Sequence, residues 1–341
     1  MLLKKWTWRL PLMSQHRLTS NYTMKKNNTK DKKDYFPLVV GQERAKRKLG
    51  YLIDTWKGSE IMDNLMFVAP RGCGKTMMAT KLAQVMNEQK GEKVGRVVNC
   101  AAIKNLNQFI NGTIIPHVHD KDVTILLDEA SELPRDVEMA LLTILNPNSD
   151  NRNSFSYEDY TIDFDFRRQT FLLATTEAHK VFHALMDRLH RIDLEEYHDS
   201  HLAQIISRNL VNAKFEAGVL EEVSSVLRGN ARQAMRMANT IRNHLMKKRS
   251  KRFSAEDWDT IKYNLGIRPL GLNENEIRCL NALAEKKASS LTCIAAKLGM
   301  TKESVQKDIE LYLQKLNLME ISTDGRAITK RGQDYLKLCL N

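Results

Sequence analysis

The chain has 341 residues, which suits two or three domains better than one. Its 42% hydrophobic and 28% charged residues describe a globular polypeptide, and no apolar run approaches the roughly 18–20 residues of a membrane span. The formal net charge of +12 points to a polyanionic partner, although much of it is local.

Residues 1–33 hold nine Lys/Arg against one acid, Asp31. This stretch is polar and lacks periodicity, which predicts a disordered basic tail over residues 1–34, and a dispensable leader rather than a targeting signal. From Tyr35 to about Asp193 apolar strand-like runs alternate with helical patterns, the signature of a parallel sheet covered by helices. The runs are Leu65–Val68, Val94–Cys100, Val123–Leu127 and Thr170–Thr175.

The first run ends in Ala69-Pro70-Arg71-Gly72-Cys73-Gly74-Lys75-Thr76 and is followed by a helical pattern from Met77. Strand, tight loop and helix make the setting in which backbone N–H groups cradle phosphates. A lysine there reaches the β- and γ-phosphates, and a hydroxyl beside it ligates Mg²⁺. Ala69 stands where the first glycine of the pattern usually falls. The run Val123-Thr124-Ile125-Leu126-Leu127 then ends in Asp128-Glu129. A carboxylate pair at the end of a buried strand offers Asp128 to the metal and Glu129 to the attacking water. Together these segments predict nucleotide hydrolysis with ATP and Mg²⁺.

Next come a helix over Arg135–Leu145 and an alternating segment, Thr161 to Phe166, that reads as one arm of a hairpin. His117-x-His119-Asp120 has no third ligand cluster, so it reads as a loop and not a metal site. Asp199 to about Leu265 reads as helical throughout. Within it, Arg228 to Arg252 holds nine Lys/Arg and no acid, which suits either a solvated face or a polyanion. The last segment has the rhythm of a helix-turn-helix with a wing. Ile277, Leu280 and Leu283 mark one helix, Ile294 and Leu298 a second, and Thr301 caps a third carrying Val305, Ile309 and Leu313. A hairpin over Leu318–Thr329 turned by Asp324-Gly325 completes it. Lys302, Lys307 and Arg326 are expected to project toward DNA. The five cysteines form no C-x-x-C pair and read as reduced thiols of a cytoplasmic protein; Cys73 reads as a small filler of the phosphate loop, which an exposed thiol there would make oxidant-sensitive.

From Pro37 to Leu336 the chain resembles the RuvB family of AAA+ ATPases. Gly41-Gln42-Glu43 is similar to the family's I-G-Q-E, the loop to G-P-P-G-L-G-K-T, and Asp128-Glu129 to the acidic pair of D-E-I-H. Ala174-Thr175-Thr176 is similar to A-T-T, Met186-Asp187-Arg188 to R-D-R, and Gly229-Asn230-Ala231-Arg232 to G-T-P-R. The resemblance implies an α/β P-loop AAA+ domain with a parallel sheet over residues 35–198. An all-helical lid over 199–266 and a C-terminal winged-helix DNA-binding domain over 267–341 follow it.

It also implies a nucleotide pocket of Val40, Gly41, Arg71, Gly72, Cys73, Gly74, Lys75, Thr76, Met77, Tyr197 and Arg232. Thr176 becomes the first sensor and Arg232 the second. Arg188 becomes a finger donated to the neighbouring subunit of a ring, hexameric in the family; a finger contributes about 10³–10⁵ in rate. The implied function is ATP-dependent branch migration of four-way DNA junctions in a bacterial or phage-infected cell. The sequence departs from the family at Met186 and Ser131. The hairpin carries an acidic Tyr157-Glu158-Asp159-Tyr160 where the family meets its RuvA partner, which leaves that partner open. Two other readings remain at this point: a clamp-loader- or initiator-like switch, and a DNA-binding adaptor that holds nucleotide without turnover, for which Ala69 and Met186 speak.

Overall fold

The computed structural model describes residues 33–90, 94–285 and 288–339. Residues 1–32 of the basic tail expected over 1–34 lie outside them.

Five strands, β1 (Leu65–Val68), β2 (Val94–Asn99), β3 (Val123–Asp128), β6 (Gln169–Thr175) and β7 (His190–Asp193), form one sheet in the order β2-β3-β6-β1-β7. Every pairing in it is parallel. The two central strands are apolar almost continuously because both faces are covered. Ile125, Leu127, Phe171 and Leu173 enter one core with Phe109, Ile114 and Leu141. Leu126, Leu172 and Ala174 enter the other with Leu49, Trp56, Met78 and Leu82. Because side chains alternate along a strand, Asp128 shares the parity of Leu126 and lies toward the face covered by the helix Lys75–Lys90.

β7 is absent from the sequence expectation. His190-Arg191-Ile192-Asp193 carries one apolar residue at a sheet edge, so no hydrophobic run announces it. The hairpin consists of β4 (Arg152–Tyr157) and β5 (Tyr160–Asp165), with Tyr157 opposite Tyr160 and Glu158-Asp159 at the tip.

Residues 199–265 are not wholly helical. Helices Asp199–Asn209, Val219–Ser225, Ala231–Lys248 and Ala255–Leu265 pack around Trp258, Phe253, Ile241 and Leu202. Two short strands, Lys214–Phe215 and Arg252–Phe253, pair in parallel beside them. Two residues are too few for a period to be read.

The last core gathers helices Glu274–Ala284, Leu291–Leu298 and Lys330–Cys339 with a third helical stretch built from Lys302–Ser304, Val305–Glu310 and Leu311–Lys315. Gly299 ends the second helix at φ 68°, and the Thr301 hydroxyl accepts from Ser304 N to start the third. The wing pairs Met319–Ser322 with Gly325–Ile328. Its turn is Thr323-Asp324, one residue earlier than expected, and Gly325 occupies the strand end at φ 125°, where a Cβ would lie 2.8 Å from Ser289 O.

Candidate nucleotide site

The phosphate loop, Asp128-Glu129 and Thr176 all leave the same edge of the sheet, the carboxyl ends of β1, β3 and β6. Open α/β sheets bind ligands at this edge, where loops diverge and helix N-termini point inward. The loop depends on two glycines. Gly72 and Gly74 stand at φ 82° and 91°, and a Cβ on Gly72 would lie 2.1 Å from Asn230 Oδ1. Ala69 has no such constraint. It lacks positive φ, is buried, and donates its N–H to Thr175 O at 3.4 Å, so its methyl group fits without strain.

Lys75 opens the following helix and its ammonium donates to Ala69 O at 2.9 Å and Pro70 O at 3.3 Å. Burial lowers its pKa, and Glu129 and Asp128 oppose that shift. The positive charge of Arg232 adds a smaller lowering. Thr76 Oγ1 donates to Asp128 Oδ2 at 2.8 Å. A hydroxyl and a carboxylate meeting at one point are hard oxygen donors of the kind a divalent cation accepts, with phosphate oxygens and water completing the shell. Asp128 Oδ1 accepts from Glu129 N at 3.1 Å. Glu129 itself holds a left-handed backbone (φ 57°, ψ 49°), a conformation non-glycine residues keep where the surroundings impose it.

Cys73 is 2% exposed, and burial pushes its thiol up to about 11. Cys73 thus fills space inside the loop, as its reading as a small filler expects, and the alternative of an exposed, oxidant-sensitive thiol falls away. Met77 is exposed at the head of the helix.

The far wall of the site comes from both flanks of the domain. Val40 and Tyr197 pack into the core of the lid helices, and Tyr197 Oη is 3.4 Å from where a Cβ on Gly74 would stand. Gln42, at the start of the helix Glu43–Ser59, bridges to the segment after β7, donating to Glu195 O at 2.7 Å and accepting from Glu195 N at 2.9 Å. Gly41 stands at φ 61° against the His201 ring. The lid touches the phosphate loop directly: Ala231 N donates to Gly72 O at 3.1 Å, and Asn230 Nδ2 to Arg71 O at 3.4 Å. Asn230 also caps the helix that carries Arg232.

Thr175 is buried and its Oγ1 accepts from Glu177 N at 3.0 Å, whereas Thr176 is half-buried beyond the strand end. Arg188 lies elsewhere. It precedes β7, whose first residue, His190, pairs with Leu65 at the start of β1. That is the edge opposite the phosphate loop, separated from it by four residues of strand, or about 13 Å. Its Nη1 donates to Ala184 O at 2.7 Å and Nη2 to Asn146 Oδ1 at 3.1 Å, while the buried Nε has no hydrogen-bond partner.

The residues expected to face DNA divide. Lys302 is exposed. Lys307 lies 3.4 Å from Glu177, next to Thr176, and Lys315 of the same helical stretch pairs with Glu196. Arg326 does not project. Its Nε and Nη2 reach Glu310 at 2.8 and 3.3 Å, and that carboxylate is 4% exposed. The strand expectation put Arg326 on the wing's outer side, but a buried acid on the third helical stretch draws it in. His117-x-His119-Asp120 contains no metal cluster among the described residues, and Asp120 is instead 2.6 Å from Arg168.

A parallel sheet with a phosphate loop, an acidic pair and a helical lid defines a AAA+ ATPase, and it binds nucleotide. Residues 65–199 match the model of the ATPase family associated with various cellular activities, and residues 269–337 match the RuvB C-terminal winged helix domain. The chain is thus a RuvB-like AAA+ ATPase. It is 28% identical over 320 residues to the Holliday junction branch migration complex subunit RuvB of Sulfurimonas denitrificans, covering 88% of this chain and 89% of that one. With the same subunit of Wolbachia sp. subsp. Brugia malayi it shares 26% over 304 residues, 87% and 91% of the two chains. Its fold superposes on the Thermotoga maritima RuvB Holliday junction branch migration motor with a TM-score of 0.70 at 22% identity, covering 87% and 95%. No helix among the described residues is long and apolar enough to cross a membrane.

Proposed function

We propose that this protein is an ATP-driven ring motor that moves duplex DNA and promotes branch migration at four-way junctions in the bacterial cytoplasm or a phage-infected cell. In this reading residues 35–198 are the ATPase domain, 199–266 the lid and 267–341 the DNA-facing domain. The observation that carries it is the split of the catalytic set. Lys75, Thr76, Asp128, Glu129 and Thr176 stand at one edge of the sheet, and Arg188 stands at the other.

Lys75 grips the β- and γ-phosphates of ATP, and the N–H groups of residues 71–77 surround them. Thr76 and Asp128 hold Mg²⁺. When bound, the ion neutralises charge on the transferring phosphoryl group. Glu129 takes the proton of the attacking water, and Thr176 orients that water toward the γ-phosphate. Arg188 is too far from its own site and serves that of the adjacent subunit, so a ring, hexameric as in the family, is the working form. Arg232 reads the γ-phosphate in cis from the lid. Val40, Gly41, Tyr197 and Met77 enclose the base and ribose side. Lys302 contacts DNA phosphates; Lys307 contributes only where Glu177 releases it. The acidic hairpin tip fits a partner surface more basic than an apolar tip would require.

The test is direct. Purified full-length protein with ATP and a synthetic four-way junction should hydrolyse ATP faster than without DNA and convert the junction to duplex products. Hydrolysis with an unchanged junction under all salt conditions would favour a DNA-binding switch, and no hydrolysis would leave the adaptor.

A further inference from the structure

Four residues before Arg232, a second arginine is held in a different way. Arg228 opens the turn that leads into the lid helix and sits at φ 55°, a left-handed conformation unusual for a side-chain-bearing residue. Its guanidinium forms a two-pronged ion pair with Glu276, Nη1 to Oε1 at 2.9 Å and Nη2 to Oε2. Nε and Nη2 also donate to Gly271 O at 3.0 and 2.5 Å, and the group lies 4.0 Å over the Tyr312 ring. The Glu276 side chain is fully buried and caps the first winged-helix helix through Asn273. All of these partners belong to the winged-helix end of the chain. The joint is tight: a Cβ on Gly271 would lie 2.2 Å from Val226 O.

On its other side the same turn meets the nucleotide site. Gly229 O accepts from Tyr197 N at 3.2 Å, Asn230 reaches Arg71 O, Ala231 N reaches Gly72 O, and Arg232 follows. Five consecutive residues thus run from a clamp in the winged helix to the phosphate loop. A buried ion pair stabilises a fold little more than apolar side chains of the same shape, but it fixes direction because both forks must meet.

We infer that Arg228 is a positioning residue for hydrolysis: gripped by Glu276, Gly271 and Tyr312, it holds the turn that presents Asn230 to the phosphate loop and Arg232 to the nucleotide. The winged helix is thereby part of the ATPase machinery of its own subunit, and movement at either end is felt at the other. This rests on Arg232 contacting nucleotide, as proposed above.

The experiment uses the full chain with Arg228→Lys and Glu276→Gln. Both substitutions retain volume, and the lysine keeps a charge beside Glu276. Each should lower kcat for ATP about tenfold while changing KM less than about threefold, the size of a modest site-to-site coupling. On an Arg232→Ala background neither should add a further loss, because the clamp acts through Arg232. Affinity for a fluorescent non-hydrolysable ATP analogue against ADP supplies the same comparison where rates vanish: wild type prefers ATP, and all three single variants lose that preference. Normal kcat with only a lowered Tm would make the clamp purely structural and overturn the inference. So would losses that add fully to Arg232→Ala. Wild type that binds but never hydrolyses ATP sinks the motor reading instead, and the binding comparison still decides the clamp.

Discussion

Thr76 Oγ1 donates to Asp128 Oδ2 across 2.8 Å, joining the first turn of the phosphate-loop helix to the end of the interior strand β3. Residues 52 positions apart meet there because β3 runs parallel beside β6, which runs parallel beside β1. Thr76→Val keeps the shape and removes the hydroxyl. Half-maximal hydrolysis should then need about tenfold more Mg²⁺, the equivalent of one charge-assisted contact, with metal-free nucleotide binding little changed. An unaltered Mg²⁺ titration would remove Thr76 from the metal shell.

Arg188 is expected to act across a subunit boundary. Arg188→Ala and Glu129→Gln proteins should each lose about 10³-fold or more and 10²-fold or more in turnover, respectively. Mixed in equal amounts they should recover a measurable fraction of wild-type rate, since some interfaces join an intact finger to an intact acid. Mixed assemblies verified by mass that stay inactive would refute the geometry.

Cys73 should resist alkylation. Its thiol is buried and pushed up to about 11, so almost no thiolate exists at pH 7.5, and Cys100 and Cys279 are both pushed up to about 12. Cys293, half-buried, should label before Cys73, Cys100 and Cys279, with ATPase activity retained. Peptide mapping after iodoacetamide treatment checks the order.

Asp257 should make the lid acid-sensitive. Its carboxylate is 6% exposed; burial opposes ionisation, but Lys248 at 2.6 Å, the Ser254 N–H and hydroxyl, and His244 at 3.1 Å outweigh it and hold the pKa well below the usual range. Because the folded pKa is depressed, its contribution is complete above the unfolded value near 4 and fades as pH falls below it. Asp257→Asn should cost about 2 kcal/mol at pH 7 and progressively less below pH 4. A Tm gap that does not narrow on acidification would contradict this.

Arg326→Ala should act on stability before DNA. It leaves the Glu310 carboxylate buried without its partner, at a cost of about 3 kcal/mol, and Tm should fall by several degrees. Lys302→Glu should leave Tm unchanged and weaken duplex binding, with a shallower dependence on salt. The opposite pattern, normal folding with lost binding in Arg326→Ala, would return the wing arginine to the DNA.

The nucleotide edge was legible because its requirements are local. Gly72 and Gly74 are needed for positive φ, and β3 reads as a buried run because both its faces are covered. The Thr76–Asp128 meeting then follows from strand order. What escaped the reading depends on partners distant in sequence or on polar edges. β7 has only Ile192 to mark it. Arg326 is turned inward by Glu310, 16 residues earlier, and Lys307 is drawn to Glu177, 130 residues away. Arg228 belonged to a basic run that looked like a solvated face, and only Glu276, 48 residues on, shows that this arginine is clamped in a joint. Single-residue charge and period carry no information about such pairings.

The four-residue length of β1 and β7 has a stoichiometric consequence. In the proposed reading a lone copy carries every group needed for one complete reaction centre, yet cannot fold them onto the same spot. Specific activity per chain should therefore collapse on dilution below the concentration at which neighbours stay attached, and climb again as chains find one another, while affinity for nucleotide barely moves.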